Sequence, residues 1–225
     1  MDINVDIKGI WCEKYRPQTL DDIVLDPNVI RVINEISTEI PNLLFTGNPG
    51  TGKTSLAKII VNDILKCNYL YINASDESGI DTIRHKITNF AQTKSFDGKV
   101  KVVILDEGDG LTANAQAALR NTMESYSKYC RFIITANYKH KIIPAIQSRC
   151  QVLEIRPVIE NTVKRCYSIL KNEGIQVDDD QKKKFVELVK ANFPDIRKTI
   201  NELQKNSIGG KLSINKIRVD NEVLQ

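Results

Sequence analysis

The residues best suited to chemistry lie in one run, Gly47-Asn48-Pro49-Gly50-Thr51-Gly52-Lys53-Thr54, followed by Ser55. The run fits G-x-x-x-x-G-K-[ST], a loop whose glycines let backbone N–H groups close around phosphate oxygens. Lys53 would reach the β- and γ-phosphates of a nucleoside triphosphate, and the Thr54 hydroxyl would bind Mg²⁺. A second group follows at Asp106 and Glu107, where the apolar run Val102-Val103-Ile104-Leu105 ends in two carboxylates. Beside a phosphate loop, Asp106 would help hold the cation and Glu107 would orient and deprotonate an attacking water. Asn137 ends a second apolar run, Phe132 to Ala136. Taken alone, Asn137 reads either as a turn residue or as a contact to the γ-phosphate or the water.

These groups need a frame that brings them to one edge. Residues 42–46 read as a buried strand before the loop. Residues 55–65 read as a helix after it, with Leu56, Ile59, Ile60 and Ile64 on one face. That order points free N–H groups of a helix start at the phosphates. Asp26-Pro27 predicts a further helix start, a capping carboxylate followed by proline at the first helical position. Short apolar runs at 69–73, 101–105, 131–136 and 152–155 predict more strands. Helical spacing from Ile80, an alanine-rich stretch over 113–126 and a short segment over 142–148 lie between them. Residues 1–25 read as irregular. Near-continuous apolar strands alternating with helices imply an α/β fold with a central parallel sheet covered on both faces. After Arg156-Pro157 only helices are expected, over about 160–173, 180–192 and 195–206. Residues 207–225 fit either a short strand pair or a ragged end.

The composition is that of a globular chain of 225 residues, 27% charged and 41% hydrophobic. A net charge of +4 permits a nucleic-acid partner without arguing for one. The five cysteines form no C-x-x-C pair and leave an odd count, which predicts reduced thiols and no zinc pattern. The N-terminus lacks the basic and apolar regions of a signal peptide, and no apolar run approaches the roughly 18 residues of a membrane span. The expected location is the cytoplasm or nucleoid, or the host cytoplasm for a viral protein. Asp178-Asp179-Asp180 with Lys182-Lys183-Lys184 reads as a solvated helix start, not as a nucleic-acid patch. His85 and His140 have no metal-ligand spacing.

Several short runs occur in an order that resembles a known family. They are Trp11-Cys12-Glu13-Lys14-Tyr15-Arg16-Pro17, Asn73-Ala74-Ser75-Asp76, Asp106-Glu107-Gly108-Asp109, Ala118-Leu119-Arg120, Thr122-Met123-Glu124 and Gln147-Ser148-Arg149-Cys150. The set resembles the ATPase subunit of sliding-clamp loaders, the replication factor C small-subunit group of AAA+ proteins. Thr88 to Ala91, Ser95 to Gly98, and Asn192 to Asp195 with Arg197 to Thr199 resemble the large loader subunit of tailed phages. The resemblance covers about residues 11–205. It implies a P-loop AAA+ domain over 1–156 and a small all-helical lid domain over 157–225. The family's third domain, a helical collar, has no counterpart in these 225 residues.

The resemblance also implies roles. ATP and Mg²⁺ are the expected ligands. Tyr15, Arg16 and Pro17 would lie beside the adenine. Asn137 would sense the state of the site, and Arg197 would sense the γ-phosphate from the lid. Arg149, on its own a surface arginine, would be a finger acting on a neighbouring subunit's ATP. Arg84, near a helix start, would touch template phosphates, and the region from Phe90 to Gly98 would lie near the clamp. The expected activity is ATP hydrolysis stimulated by DNA and clamp, used to open a ring clamp and place it on primer–template DNA. The expected partners are that DNA, read through its backbone without sequence preference, the sliding clamp, and other loader subunits in a ring, pentameric when the collar is present. No membrane is expected. Ser78 and Asn121 stand where the family favours basic residues, which predicts a weaker grip on DNA. Two other readings are a nucleotide-binding scaffold that does not hydrolyse, against which Glu107 and Arg149 argue, and another AAA+ DNA-remodelling machine such as a helicase loader or branch migrator, against which Ser148-Arg149-Cys150 argues.

Overall fold

The computed structural model describes residues 9–36, 40–76, 80–93 and 99–214. Ser78, the run from Ser95 to Gly98 and residues 215–225 fall outside the described residues. The described chain opens with one helical turn, α1 (Trp11–Lys14), where an irregular segment was expected. The helix α2 (Pro27–Glu35) starts as the Asp-Pro pair predicts, with the Asp26 carboxylate accepting from Asn28 N–H.

The strand β1 (Leu43–Thr46) leads through the loop into α3 (Lys53–Ile59), which continues as one π-helical stretch over Ile60–Ile64. The single regular helix expected over 55–65 therefore begins two residues earlier and loosens at its far end. Then come β2 (Tyr69–Asn73), α4 (Ile80–Gln92), β3 (Lys101–Asp106), α5 (Ala113–Ser125), β4 (Cys130–Ala136), the short α6 (Pro144–Gln147) and β5 (Gln151–Glu154).

The five strands form one parallel sheet in the order β2-β3-β4-β1-β5. Alternation along each strand splits the core into two layers. Leu43 and Phe45 join Val102, Ile104 and Ile133 against α2 and α3. Leu44 joins Val103, Leu105, Phe132 and Ile134 against α4 and α5. Because β1 connects toward β2 and β4 connects toward β5, the chain leaves their paired carboxyl ends in opposite directions, which makes the crevice where such sheets bind ligands. Gly47 follows β1 directly at φ 143°, and a Cβ there would stand 2.6 Å from the Ile155 carbonyl oxygen. No side chain fits, so the loop must begin with glycine.

A second unit contains α7 (Ile159–Asn172), α8 (Asp179–Asn192) and α9 (Ile196–Lys205), followed by a two-stranded hairpin, β6 (Ser207–Ile208) and β7 (Lys211–Leu212). Of the two readings for the tail, the strand pair is the one observed. Cys166, Ile169, Leu170, Leu188, Val189 and Leu203 form its core, and Trp11 of α1 is buried among them. The chain therefore divides into 17–155 and a unit that joins 156–214 to 9–16. The N-terminal segment, counted with the sheet in the sequence reading, belongs with the helices. The physical reason is the indole of Trp11, reinforced by Trp11 N–H donating to Gln204 Oε1 at 2.9 Å.

Candidate active site

The loop residues Gly47 to Thr54 sit where β1 ends and α3 begins. Gly50 and Gly52 take φ of 73° and 97°, and Gly52 is the left-handed residue directly before α3. Lys53 is buried, and its ammonium donates to the carbonyls of Gly47 and Asn48, each at 2.8 Å. Thr51 Oγ1 donates to Asn48 O at 2.9 Å, which closes the loop on itself. Ser55 lies half-buried on the first turn of α3.

Across 52 residues of sequence, Thr54 Oγ1 donates to the Asp106 carboxylate, 2.8 Å from Oδ1 and 3.0 Å from Oδ2. Thr135 Oγ1 donates to Asp106 Oδ1, and the Tyr71 hydroxyl donates to Oδ2 at 2.8 Å. Asp106 is 7% exposed and ionised carboxylates accept only, so these hydroxyls are what make its burial tolerable. Glu107 is exposed and left-handed at φ 55°, with its N–H donating to Thr135 Oγ1 at 3.0 Å. Thr135 thus binds both acidic residues from β4. Asn137, half-buried, follows one residue after that strand. Asp109 points elsewhere and accepts from Tyr138 N–H at 3.2 Å.

The geometry fits a hard divalent cation. A threonine hydroxyl and an aspartate carboxylate meet, and both offer oxygen. Among the described residues no group of three or more His, Cys, Asp or Glu side chains gathers into a metal cage.

Two further sequence-expected residues of the 17–155 unit, Arg149 and Arg84, sit on other elements. Arg149, at the end of the turn after α6, donates through Nε to Glu124 Oε1 at 2.8 Å and through NH1 to Ala145 O at 2.7 Å. Its NH2 also pairs with Glu124, so the finger candidate is folded onto α5 of its own chain. Arg84 is exposed and falls at least one turn inside α4, not at its start, so its own N–H is not one of the free ones. It lines a cleft of about 340 Å³ with His85, Thr88, Asn121 and Tyr126. Arg197 is exposed on the first turn of α9, in the helical unit. Tyr15 and Arg16 belong to that unit, while Pro17 opens the other. The Tyr15 hydroxyl and the Lys14 ammonium both donate to Glu173 Oε1 at 2.6 Å. Burial first, and then the bond to the Glu173 carboxylate, push the Tyr15 phenol up from its ordinary value.

Sequence reasoning overlooked Tyr71, Thr135, Glu124, Glu173 and Gln116. Gln116 is buried in α5, donates to Leu111 O and Lys141 O at 3.1 and 2.8 Å, and accepts from Ile143 N–H at 2.8 Å. The one available signal was polarity within apolar runs: Thr135 in Phe-Ile-Ile-Thr-Ala and Gln116 among alanines.

Comparison with known proteins finds matches over both parts of the chain. Residues 43–158 match the family model of the ATPase family associated with various cellular activities (AAA). Residues 156–215 match the model of the sliding-clamp-loader large subunit, AAA+ ATPase lid domain. The replication factor C small subunit of Archaeoglobus fulgidus is 46% identical over 203 residues, which are 87% of this chain and 63% of that protein. The corresponding protein of Thermoplasma acidophilum is 45% identical over 216 residues, 92% of this chain and 67% of that protein. The chain thus spans about two thirds of the length of the curated relatives it matches. Among solved structures, the Thermotoga maritima RuvB Holliday junction branch migration motor superposes with a TM-score of 0.64 over 89% of this chain and 69% of that one. At 17% identity that likeness speaks for the fold alone.

Proposed function

Since this chain belongs to the AAA ATPase family, within its replication factor C small-subunit group, we propose that it is an ATPase subunit of a DNA sliding-clamp loader. The observation that carries the reading is the bond from Thr54 Oγ1 to Asp106 at 2.8 Å. It joins the phosphate loop to the acidic strand end in the arrangement that phosphoryl transfer requires.

In this reading Gly47 to Ser55 cradle the phosphates of ATP. Lys53 exchanges its two loop carbonyls for phosphate oxygens, a charge-assisted bond that is stronger than the neutral ones it replaces. Thr54 and Asp106 hold Mg²⁺, which when bound neutralises charge on the β- and γ-phosphates. Glu107 takes the proton of the attacking water, and Asn137 orients that water or the γ-phosphate. Tyr15, Arg16 and Pro17 flank the adenine, and Arg197 reads the γ-phosphate from the lid, which follows a P-loop domain ending near residue 156. Arg149 leaves Glu124 and acts in trans on a neighbouring subunit's ATP. Arg84 meets DNA phosphates through its side chain, so binding to primer–template DNA is salt-dependent and indifferent to sequence. The loader subunits form a ring, pentameric with the collar domains of the whole proteins. ATP binding opens and grips the clamp, and hydrolysis releases it on DNA. Among the described residues no helix is long and apolar enough to cross a membrane, and the work is assigned to the cytoplasm or nucleoid.

The test is a mixing experiment in the assembled loader with clamp and DNA. Glu107→Gln protein binds ATP but hydrolyses it about 10²- to 10⁴-fold more slowly, since the amide cannot accept a proton. Arg149→Ala protein binds ATP normally and loses stimulated hydrolysis by roughly 10³-fold, the worth of a trans arginine in other phosphoryl-transfer systems. Mixed, the two restore part of the activity, because an intact Glu107 in one subunit meets an intact Arg149 in the next. Full stimulated activity of Arg149→Ala alone sinks the proposal.

A further inference from the structure

The Asp106 carboxylate offers about four lone-pair positions. Oδ1 receives the hydroxyls of Thr54 and Thr135, and Oδ2 receives that of Tyr71 at 2.8 Å and the longer approach of Thr54 at 3.0 Å. The second lobe of Oδ2 is thus shared only with Thr54, and it is released when the Thr54 hydroxyl turns to a cation. Sheet geometry explains why Tyr71 reaches it. Tyr71 pairs with Ile104 across β2 and β3, and Ile104 lies two residues before Asp106. Residues two apart on a strand share a face, so the phenol runs diagonally forward to the carboxylate. A phenylalanine would fill the same space and bring no donor. The ring is itself held, with the Lys58 ammonium of α3 4.7 Å from its centroid. Tyr71 is 39% exposed while Asp106 is 7% exposed, so a surface side chain reaches a buried carboxylate. Core packing does not require that contact.

We propose that Tyr71 is a positioning residue for the divalent cation. By occupying one lobe of Oδ2 it holds Asp106 so that a single lobe faces the cation or its bound water. This suits Mg²⁺, which demands near-octahedral geometry and keeps several waters. It disfavours Ca²⁺, which accepts both oxygens of one carboxylate. The inference rests on the assignment of Thr54 and Asp106 to the cation.

The experiment measures binding of a non-hydrolysable ATP analogue by wild type and Tyr71→Phe, with Mg²⁺ titrated in, then with Ca²⁺, then in EDTA. The substitution removes one oxygen and keeps the ring and its contact with Lys58. The Mg²⁺ concentration for half-maximal binding is expected to rise about tenfold, the low end of what loss of such an outer partner costs a metal site. The corresponding Ca²⁺ value should move less, and affinity in EDTA should stay within twofold. An unchanged Mg²⁺ requirement, equal weakening for both cations, or a matching loss in EDTA overturns the role of Tyr71 alone. Wild-type binding that ignores Mg²⁺ overturns the cation assignment of Thr54 and Asp106 as well.

Discussion

Strand β3 carries a buried charge at each end, and the two are accommodated differently. At its start Lys101 is 4% exposed; at its end Asp106 is 7% exposed. The Lys101 ammonium donates to the carbonyls of Phe90 and Thr93 and to Thr93 Oγ1, where α4 ends. Its three donors meet three acceptors, mostly fixed backbone, and a cation at a helix C-terminus also opposes the helix dipole. Asp106 is surrounded by hydroxyls, which rotate, and the second lobe of its Oδ2 meets only the longer approach of Thr54. A buried charge closed by main-chain groups holds the fold. A buried charge ringed by rotatable hydroxyls can exchange one of them for a ligand.

Three substitutions or titrations bear on this contrast. The largest effect should come at the open end. Asp106→Asn keeps the shape; its amide oxygen can accept two of the three hydroxyls and its NH2 can donate to the oxygen of the third once that hydroxyl rotates, so stability should change by about 1 kcal/mol or less. Mg²⁺-dependent ATP hydrolysis should drop about a hundredfold or more. A stability loss of several kcal/mol in urea, with hydrolysis kept, would reverse the roles of the two ends.

At the closed end the outcome should be the opposite. Lys101→Met leaves two carbonyls at the end of α4 without their donor, at about 1–3 kcal/mol each. Urea unfolding should report a loss of roughly 2–4 kcal/mol, with nucleotide affinity within twofold of wild type at temperatures where the variant is folded. A fall in affinity without a fall in stability would show that Lys101 serves the site.

The smallest effect concerns a third way to bury a titratable group, which is to keep it neutral. Cys130 faces Lys101 in register across β3 and β4. Burial pushes its thiol up to about 11, against the pull of Lys101, and pushes Cys150 and Cys166 up to about 12. The unfolded chain ionises these thiols near pH 9, while the folded chain keeps its protons longer. The contribution to stability is therefore complete below pH 9 and is lost as pH rises to about 11 for Cys130 and about 12 for the others. The urea midpoint should decline across that window, and alkylation of the folded protein at pH 8 should be slow at all three. Rapid labelling of Cys130 would mean that the pocket around Lys101 opens.

Elements were legible wherever periodicity and end signals agreed. The run 69–73 became β2 residue for residue, and Asp26-Pro27 became a capped helix start. The acidic strand end was legible because Asp106 and Glu107 close an apolar strand downstream of a phosphate loop, where a parallel sheet gathers its ligand-binding groups. What escaped depended on which strands are neighbours. Nothing local says that β2 lies beside β3, so nothing in the run 69–73 singled out Tyr71. The pairing of Arg149 with Glu124 joins α5 to a turn that follows a whole further strand, and no spacing rule reaches that far. The start of α4 at Ile80 was legible from its apolar spacing, whereas the helix-start role of Arg84 came from the resemblance and not from that spacing. The N-terminal helix was missed because one turn is too short for a period to show, and its partner core begins more than 140 positions later.

The left-handed backbone of Glu107, at φ 55°, has a consequence for selection in the laboratory. A non-glycine residue in that conformation costs about 1–2 kcal/mol, and glycine there is free of the penalty. A library enriched only for survival on heating would therefore accumulate Glu107→Gly and, with Glu107 as the proposed base, its best-surviving members would be those least able to turn over their nucleotide. Thermal selection on this chain needs a second criterion at that one codon.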